Sequence, residues 1–284
     1  MQDIVTQPYP LLLVALIGLL AGVLGGMLGI GGSMIMIPGL VIVFGQGIRP
    51  GFNQHAYQAA AMIANVAVAV PAALRHHRAR MIQTNILRVM LPAAALAVIA
   101  GVLLSNLPVF RGDEGGVWLG RLLALFLVYE IIFNIRKIMV GGEDVVQHPM
   151  QAARVTRPRI VVAGTSMGLI AGLLGVGGGI IAVPLQQILL GLQLRAAIAN
   201  SAAVMVASSA MGAVVKNWTL PMNDVPWYGG LLLAAMLAPT CIIGGRFGAS
   251  LTHRLPIRQV RVAFIILMGV AAYRLAGLPW PIKS

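Results

Sequence analysis

Long apolar runs separated by short polar stretches set the pattern of this chain. Positions without Asp, Glu, Lys or Arg extend over 4–48, 50–74, 89–110, 160–194, 196–215, 225–245 and 262–273. Several of these exceed the roughly 20 apolar residues that a helix needs to cross a bilayer. Taken with the Gly and Pro breakers, they predict four helical segments per half: 9–45, 56–74, 83–104 and 117–135, then 160–193, 196–215, 227–249 and 258–277. The polar stretch 136–159, with both charge signs, reads as a linker joining a first membrane repeat (1–135) to a second (160–284).

The two halves open alike. The segment Gly22 to Pro38 returns 146 residues later as Gly168 to Pro184, and eight of these 17 aligned positions are identical: Gly22, Gly26, Leu28, Gly29, Gly31, Gly32, Ile35 and Pro38 with their partners. Arg49 and Arg195 stand at the same offset. The first half then carries about six extra residues around Pro50 to His55, after which an offset of 140 pairs Arg121 with Arg261. Two copies of one glycine-broken apolar segment are expected of a duplicated membrane transporter, whose halves meet at a substrate site.

Composition agrees with lipid as the solvent. At 59% hydrophobic and 10% charged residues, and a mean hydropathy of +0.91, a soluble fold would have more apolar surface than it could hide. A net charge of +13 would in a soluble protein raise nucleic acid as a partner. Here the positive residues sit in short loops between apolar runs, so lipid is the expected partner and nucleic acid is not. Cys241 stands alone, which excludes an internal disulfide, and its apolar surroundings suggest packing. Asp3 precedes the first apolar run with no Lys or Arg, so no basic leader is expected there.

Charge placement orients the halves. Loops 75–88, 136–159 and 246–261, together with Arg195, hold 14 of the 20 basic residues, and this set is expected to be cytoplasmic. Eight plain crossings would put 136–159 and 246–261 on opposite faces. Segment 160–193 must therefore begin and end on one face, by bending at Gly175 to Gly179 into a hairpin, either re-entrant or made of two short crossings. Segment 9–45 should do the same on the outer face. Each half then makes an odd number of crossings, so the expected fold is an all-α polytopic membrane protein with two inverted-topology repeats of about four segments each, both termini outside.

The glycine breaks are also the leading chemical candidates. Unwound backbone in hydrocarbon is tolerable only where protein or a water-filled cavity satisfies it, since each orphan polar group costs several kcal/mol. Half-helices beginning at Ser33 and Gly179 would aim free N–H groups at the midplane, which suits an anion. Close helix packing through small residues is the competing account. Asn65, Asn200, Ser201, Ser208 and Ser209 fall inside apolar segments, where they can donate to an oxyanion or bond a neighbouring helix. Arg49 and Arg195 occupy equivalent positions and can grip oxyanions, or remain solvated loop residues. Lys216 reads as a snorkelling terminus. Glu130, the carboxylate inside a predicted span, could couple transport to protons or pair with Arg136 and Lys137.

Other patterns carry less. His76-His77 lies in a strongly cationic loop without Cys or carboxylate nearby, so no metal is expected. Gly164-Thr-Ser166-Met-Gly168 has nucleophile-elbow spacing, but it sits in an apolar helix with all five histidines in loops, so the match reads as chance.

The doubled motif, Met27-Leu-Gly-Ile-Gly-Gly-Ser33 through Pro38 and Leu173-Leu-Gly-Val-Gly-Gly-Gly179 through Pro184, resembles that of the sulfite exporter TauE/SafE family of bacterial membrane proteins. The likeness spans essentially the whole chain, including the basic Arg75 to Arg80 loop. It implies an inner-membrane secondary transporter for sulfite, sulfoacetate or related sulfonates, often an exporter. Where many relatives carry Gly-Thr-Ser-like residues early in the helix after the first motif, this chain has Gln58-Ala-Ala-Ala61; Asn200-Ser201 is kept in the second half alone, and Ser33 replaces the third glycine. An asymmetric site is expected.

Together these readings predict an anion exporter working by alternating access, with a proton or sodium as coupling ion and no cofactor. The predicted substrate site comprises Gly29, Gly31, Gly32, Ser33, Asn65, Gly175, Gly177, Gly178, Gly179, Asn200, Ser201, Arg49 and Arg195, with Glu130 for proton coupling. The alternatives are a passive anion channel and an intramembrane hydrolase using Ser166.

Overall fold

A computed structural model describes residues 8–28, 31–45, 53–139 and 155–251, with ten further residues between 262 and 276. Every regular element among them is helical: α1 (Pro8–Leu28), α2 (Ser33–Phe44), α3 (Gln54–Arg78), α4 (Thr84–Ser105), α5 (Gly112–Met139), α6 (Arg157–Leu174), α7 (Gly179–Leu190), α8 (Leu194–Thr219) and α9 (Gly229–Leu251), with short 3₁₀ turns at Pro108–Phe110 and Leu220–Asn223. Described residues between 262 and 275 are also helical, where the sequence predicts the last segment. Among the described residues five helices are long and apolar enough to cross a membrane, and α2 lies among the shorter apolar ones.

Both long opening segments break at their glycines, as the repeat predicts. After the first break α2 runs back along α1: Gly25 packs on Gly31, Gly32 on Ala21 and Gly39 on Ile17. After the second, α7 folds against α6 through Gly178, Met167 and Ala171. The break at Gly175 to Gly178 holds three residues in the left-handed region, at φ +74°, +70° and +80°, where a Cβ would be strained.

A second glycine pattern explains how the hairpins are gripped. Gly18, Gly22 and Gly26 line one face of α1 at intervals of four, and Gly164, Gly168 and Gly172 do the same on α6. They let the backbones of α1 and α9, and of α4 and α6, approach so closely that a Cβ on Gly22 would lie 2.4 Å from the Cys241 carbonyl oxygen and one on Gly168 2.2 Å from that of Ala94. Small residues at such crossings substitute packing for the hydrophobic force that lipid cannot supply. Part of the repeat therefore serves packing, as the competing account held, while Gly31 and Gly177 do something else.

Helix pairing respects the duplication. α1 packs on α9 as α6 packs on α4; α3 meets α9 as α8 meets α4; and α2 contacts α3 as α7 contacts α8. The pair α3 and α8 is its own counterpart. These two run antiparallel, since Asn53 bonds Asn223 and His55 bonds Lys216 while, further along α3, Met62 lies against Gly212.

Several boundaries move. α3 starts at Gln54 and continues to Arg78, because Asn53 caps it by accepting from the N–H groups of His55 (3.1 Å) and Ala56 (3.3 Å). This puts His55 in the first turn and His76 and His77 in the last, correcting their assignment to loops; His148 and His253 lie outside the described residues. α5 runs through Met139, into the stretch read as linker. α8 extends to Thr219, so Lys216 is inside a helix and 0% exposed, not snorkelling to the surface.

Candidate functional site

The two glycine breaks meet at one side chain. Asn65, fully buried on α3, uses its Oδ1 to accept from the backbone N–H of Gly32 at 3.0 Å and of Ser33 at 3.2 Å. Both partners are donors, so the oxygen of the amide must face them, and Nδ2 points the other way. It points at the second break, where a Cβ on Gly177 would sit 2.5 Å from Nδ2 and 2.9 Å from Ser209 Oγ. Gly31, at φ +82°, closes the other side: its Cβ would lie 3.0 Å from Asn65 Oδ1 and 2.8 Å from Met205 Sδ.

α8 supplies the rest of the wall. Ser208 Oγ donates to the Gly177 carbonyl at 3.1 Å, pinning the unwound backbone of the second break. Ser33 Oγ, Asn65 Nδ2 and Ser209 Oγ are buried and have no hydrogen-bond partner. Together they offer the two N–H bonds of an amide and two hydroxyls. Buried polar atoms are paired in the great majority of cases, so the unpaired Ser33 Oγ at the first break, and Asn65 Nδ2 and Ser209 Oγ at the second, call for an acceptor. The expected free N–H groups at the start of α2 are instead taken up by Asn65 Oδ1, and α7 starts at Gly179, two residues past Gly177.

The predicted site residues divide. Gly31, Gly32, Ser33, Asn65 and Gly177 surround the cluster, with Ser208 and Ser209 from the same reading and Met205 added by the structure. Gly175 packs on Gln58 of α3, and Gly178 on α6. Asn200 lies elsewhere. It is nine residues from Ser209 on α8, roughly 13 Å at the helical rise, and its Oδ1 accepts from Gln83 N at 2.8 Å. Ser201 Oγ accepts from Gln186 Nε2 of α7 at 2.8 Å. Glu130 is buried on α5, 3% exposed. Gly29, Arg49 and the side chain of Arg195 lie outside the described residues. Thr165 bonds Val161 within a continuous α6, so Ser166 is not on the strand-to-helix turn that a nucleophile elbow requires.

Beyond the cluster, the residue that sequence reasoning placed worst is Lys216. Its Nζ lies 2.7 Å from Ser105 Oγ and 2.9 Å from His55 Nδ1. The signal was available: Asn217-Trp-Thr219 after it can continue a helix, and a lysine one turn inside a helix end need not reach water.

Comparison with known proteins agrees with the architecture. The model of the family described as Sulfite exporter TauE/SafE matches residues 14–275. The "Probable membrane transporter protein MamO" of Magnetospirillum gryphiswaldense is 28% identical and that of Paramagnetospirillum magneticum 29%, each over 92% of this chain. The chain spans 44% of the length of these two relatives. A "Probable membrane transporter protein" of Haemophilus influenzae is 25% identical over 92% of this chain and 96% of its own. No solved structure matches it.

Proposed function

This chain belongs to the sulfite exporter TauE/SafE family, a family of membrane transporters, and from that premise we propose that it carries small sulfur-containing or organic anions across a bacterial inner membrane by alternating access. The observation that carries this reading is the set of unpaired donors around Asn65, where both glycine breaks converge. A guest with several acceptor oxygens, such as sulfite, sulfoacetate or another sulfonate, would satisfy the Ser33 and Ser209 hydroxyls and the Asn65 amide together.

In this reading the halves are inverted across the bilayer, which the antiparallel course of the equivalent helices α3 and α8 supports. The gripped pairs α1–α9 and α4–α6 then act as two units that rock about the Asn65 cluster. Arg49 and Arg195, equivalent positions of the repeat, would draw the anion in by their charge, and Asn200 and Ser201 hold α4 and α7 beside its path. Export is the proposed direction, and a proton or sodium gradient the drive; Glu130 is the carboxylate in a span able to carry a proton.

The test is transport by purified protein in proteoliposomes, with radiolabelled sulfite and sulfoacetate under imposed proton and sodium gradients. Accumulation above equilibrium under one gradient is the expected result. Flux that merely equilibrates leaves a passive anion channel, and no flux of either anion removes the cargo class.

A further inference from the structure

A second buried polar cluster lies at the opposite end of α3 and α8 from the basic loop 75–88, ten residues or roughly 15 Å along α3 from Asn65. Here the first turn of α3, the last turn of α4 and the end of α8 bring His55, Ser105 and Lys216 together, each 0% exposed. Hydrogen-bond directions are fixed by their neighbours. His55 Nε2 lies 2.7 Å from the Phe110 carbonyl, which can only accept, so Nε2 carries the hydrogen and the Nδ1 of a neutral imidazole faces Lys216 with its lone pair. Ser105 gives its hydrogen to the Val102 carbonyl at 2.7 Å, so its oxygen accepts from the lysine.

Lys216 thus has two acceptors. A neutral amine has two N–H bonds and fits them; an ammonium has three, and among the described residues no acceptor meets the third and no carboxylate pairs with the charge. A buried charge without a counter-ion is strongly unfavourable. Next to His55, Gln54 is 1% exposed, and neither its Nε2 nor its Oε1 has a partner. In the surrounding shell Asn223 Nδ2 donates to Asn106 Oδ1 at 2.7 Å and Asn53 Nδ2 to the Asn223 carbonyl at 2.9 Å, while Asn223 Oδ1 and Asn217 Oδ1 are also buried without a partner.

We propose that Lys216, His55 and Ser105 form a second anion site, which takes up a small oxyanion and one proton together. A hydronium ion gives its proton to the Nζ lone pair, so one O–H bond breaks, one N–H bond forms and water is left, while the two N–H bonds toward His55 Nδ1 and Ser105 Oγ stay in place. The anion accepts the third N–H of Lys216, so each of the two favours the other and neither is stable in the site alone. This rests on the anion-transport reading above and deepens it, since it ties cargo to a proton at a position separate from both the Asn65 cluster and Glu130. Among the described side chains, the other titratable or charged groups at this end are Arg111, whose Nε donates to the Asn106 carbonyl at 2.8 Å, and Glu114 and Asp224, both exposed. Along the elements packed on α8, the remaining charges that the structure describes sit at the far ends: Arg75, His76, His77 and Arg78 on α3, Arg88 on α4, and Arg157 and Arg159 on α6.

The experiment is calorimetric titration of the purified chain with thiosulfate and with sulfoacetate, neither of which titrates near neutral pH, in two buffers of different ionisation enthalpy. Wild type should take up as much as one proton per anion, with affinity falling by up to about tenfold per pH unit on the alkaline side. Lys216→Arg, which keeps its charge at any working pH, should still bind but without proton uptake and with flat pH dependence. Lys216→Met should lose both, with folding of each variant checked by its thermal midpoint. Binding by wild type without proton uptake, uptake retained in Lys216→Arg, or no binding of either anion by wild type overturns the proposal. If these outcomes overturn it while Asn65 variants still abolish transport, the midplane reading survives alone; if Asn65 variants transport normally while Lys216→Arg loses its proton linkage, this site stands and the midplane one falls.

Discussion

A Cβ on Gly177 would stand 2.5 Å from Asn65 Nδ2, so the second break of the chain is shaped around the side chain that caps the first. One asparagine thereby senses both halves of the duplication. At φ +70° Gly177 is also in a conformation that costs a non-glycine residue about 1–2 kcal/mol.

Replacing Gly177 by Ala combines that strain with a clash on the donor side of Asn65. Transport in proteoliposomes should fall by about tenfold or more, each 1.4 kcal/mol being one decade. Gly31→Val with Gly177→Val should abolish it, while membrane insertion, read by surface labelling or fractionation, persists. Full activity in the double variant would remove the breaks from the site.

Asn65→Asp keeps an oxygen toward the N–H groups of Gly32 and Ser33 and replaces the amide donors with a second carboxylate oxygen facing Gly177. The cap survives, but a carboxylate at this fully buried position has no counter-ion among the described residues and the anion meets like charge, so anion flux should be lost and the thermal midpoint should fall. Asn65→Ala, which adds no charge, should cost about 1 kcal/mol of stability through the lost cap.

The glycine faces of α1 and α6 predict a different failure. Gly168→Leu drives a side chain into the Ala94 carbonyl, and overpacking of this kind costs about 1–3 kcal/mol. Lower yield and thermal midpoint are expected, whatever the substrate. Gly269, where a Cβ would meet nothing within 4 Å, is the control, and Gly269→Ala should behave as wild type.

Asn200→Ala separates two roles for one residue. Its Oδ1 holds the N–H of Gln83 at the start of α4, so the variant should lower thermal stability and leave the KM for the anion unchanged. A raised KM at unchanged stability would instead make Asn200 a ligand.

Orientation can be read with thiol reagents. Cys241 is 0% exposed and should stay silent, so a single cysteine introduced within 145–150 reports alone. Labelling from the cytoplasmic side is expected; labelling from outside would end the inverted arrangement.

The sequence by itself determined that this is an all-α membrane protein with a doubled, glycine-broken segment in each half. Lipid makes that legible, because backbone polar groups there must be satisfied within helices, and any sanctioned break has to be written into the chain as glycine. It also pointed to Asn65, since an amide inside an apolar run stands out. What only the tertiary structure decided is which polar groups meet. Gly22 and Gly31 look alike in the motif, yet one grips α9 and the other faces Asn65, because their faces of the segment differ once it folds back. Asn200 and Ser209 share a helix and sit roughly 13 Å apart, so only Ser209 reaches the cluster. Lys216 pairs with a histidine 161 residues away, a contact that depends on α3 and α8 running antiparallel and on no local pattern along the chain.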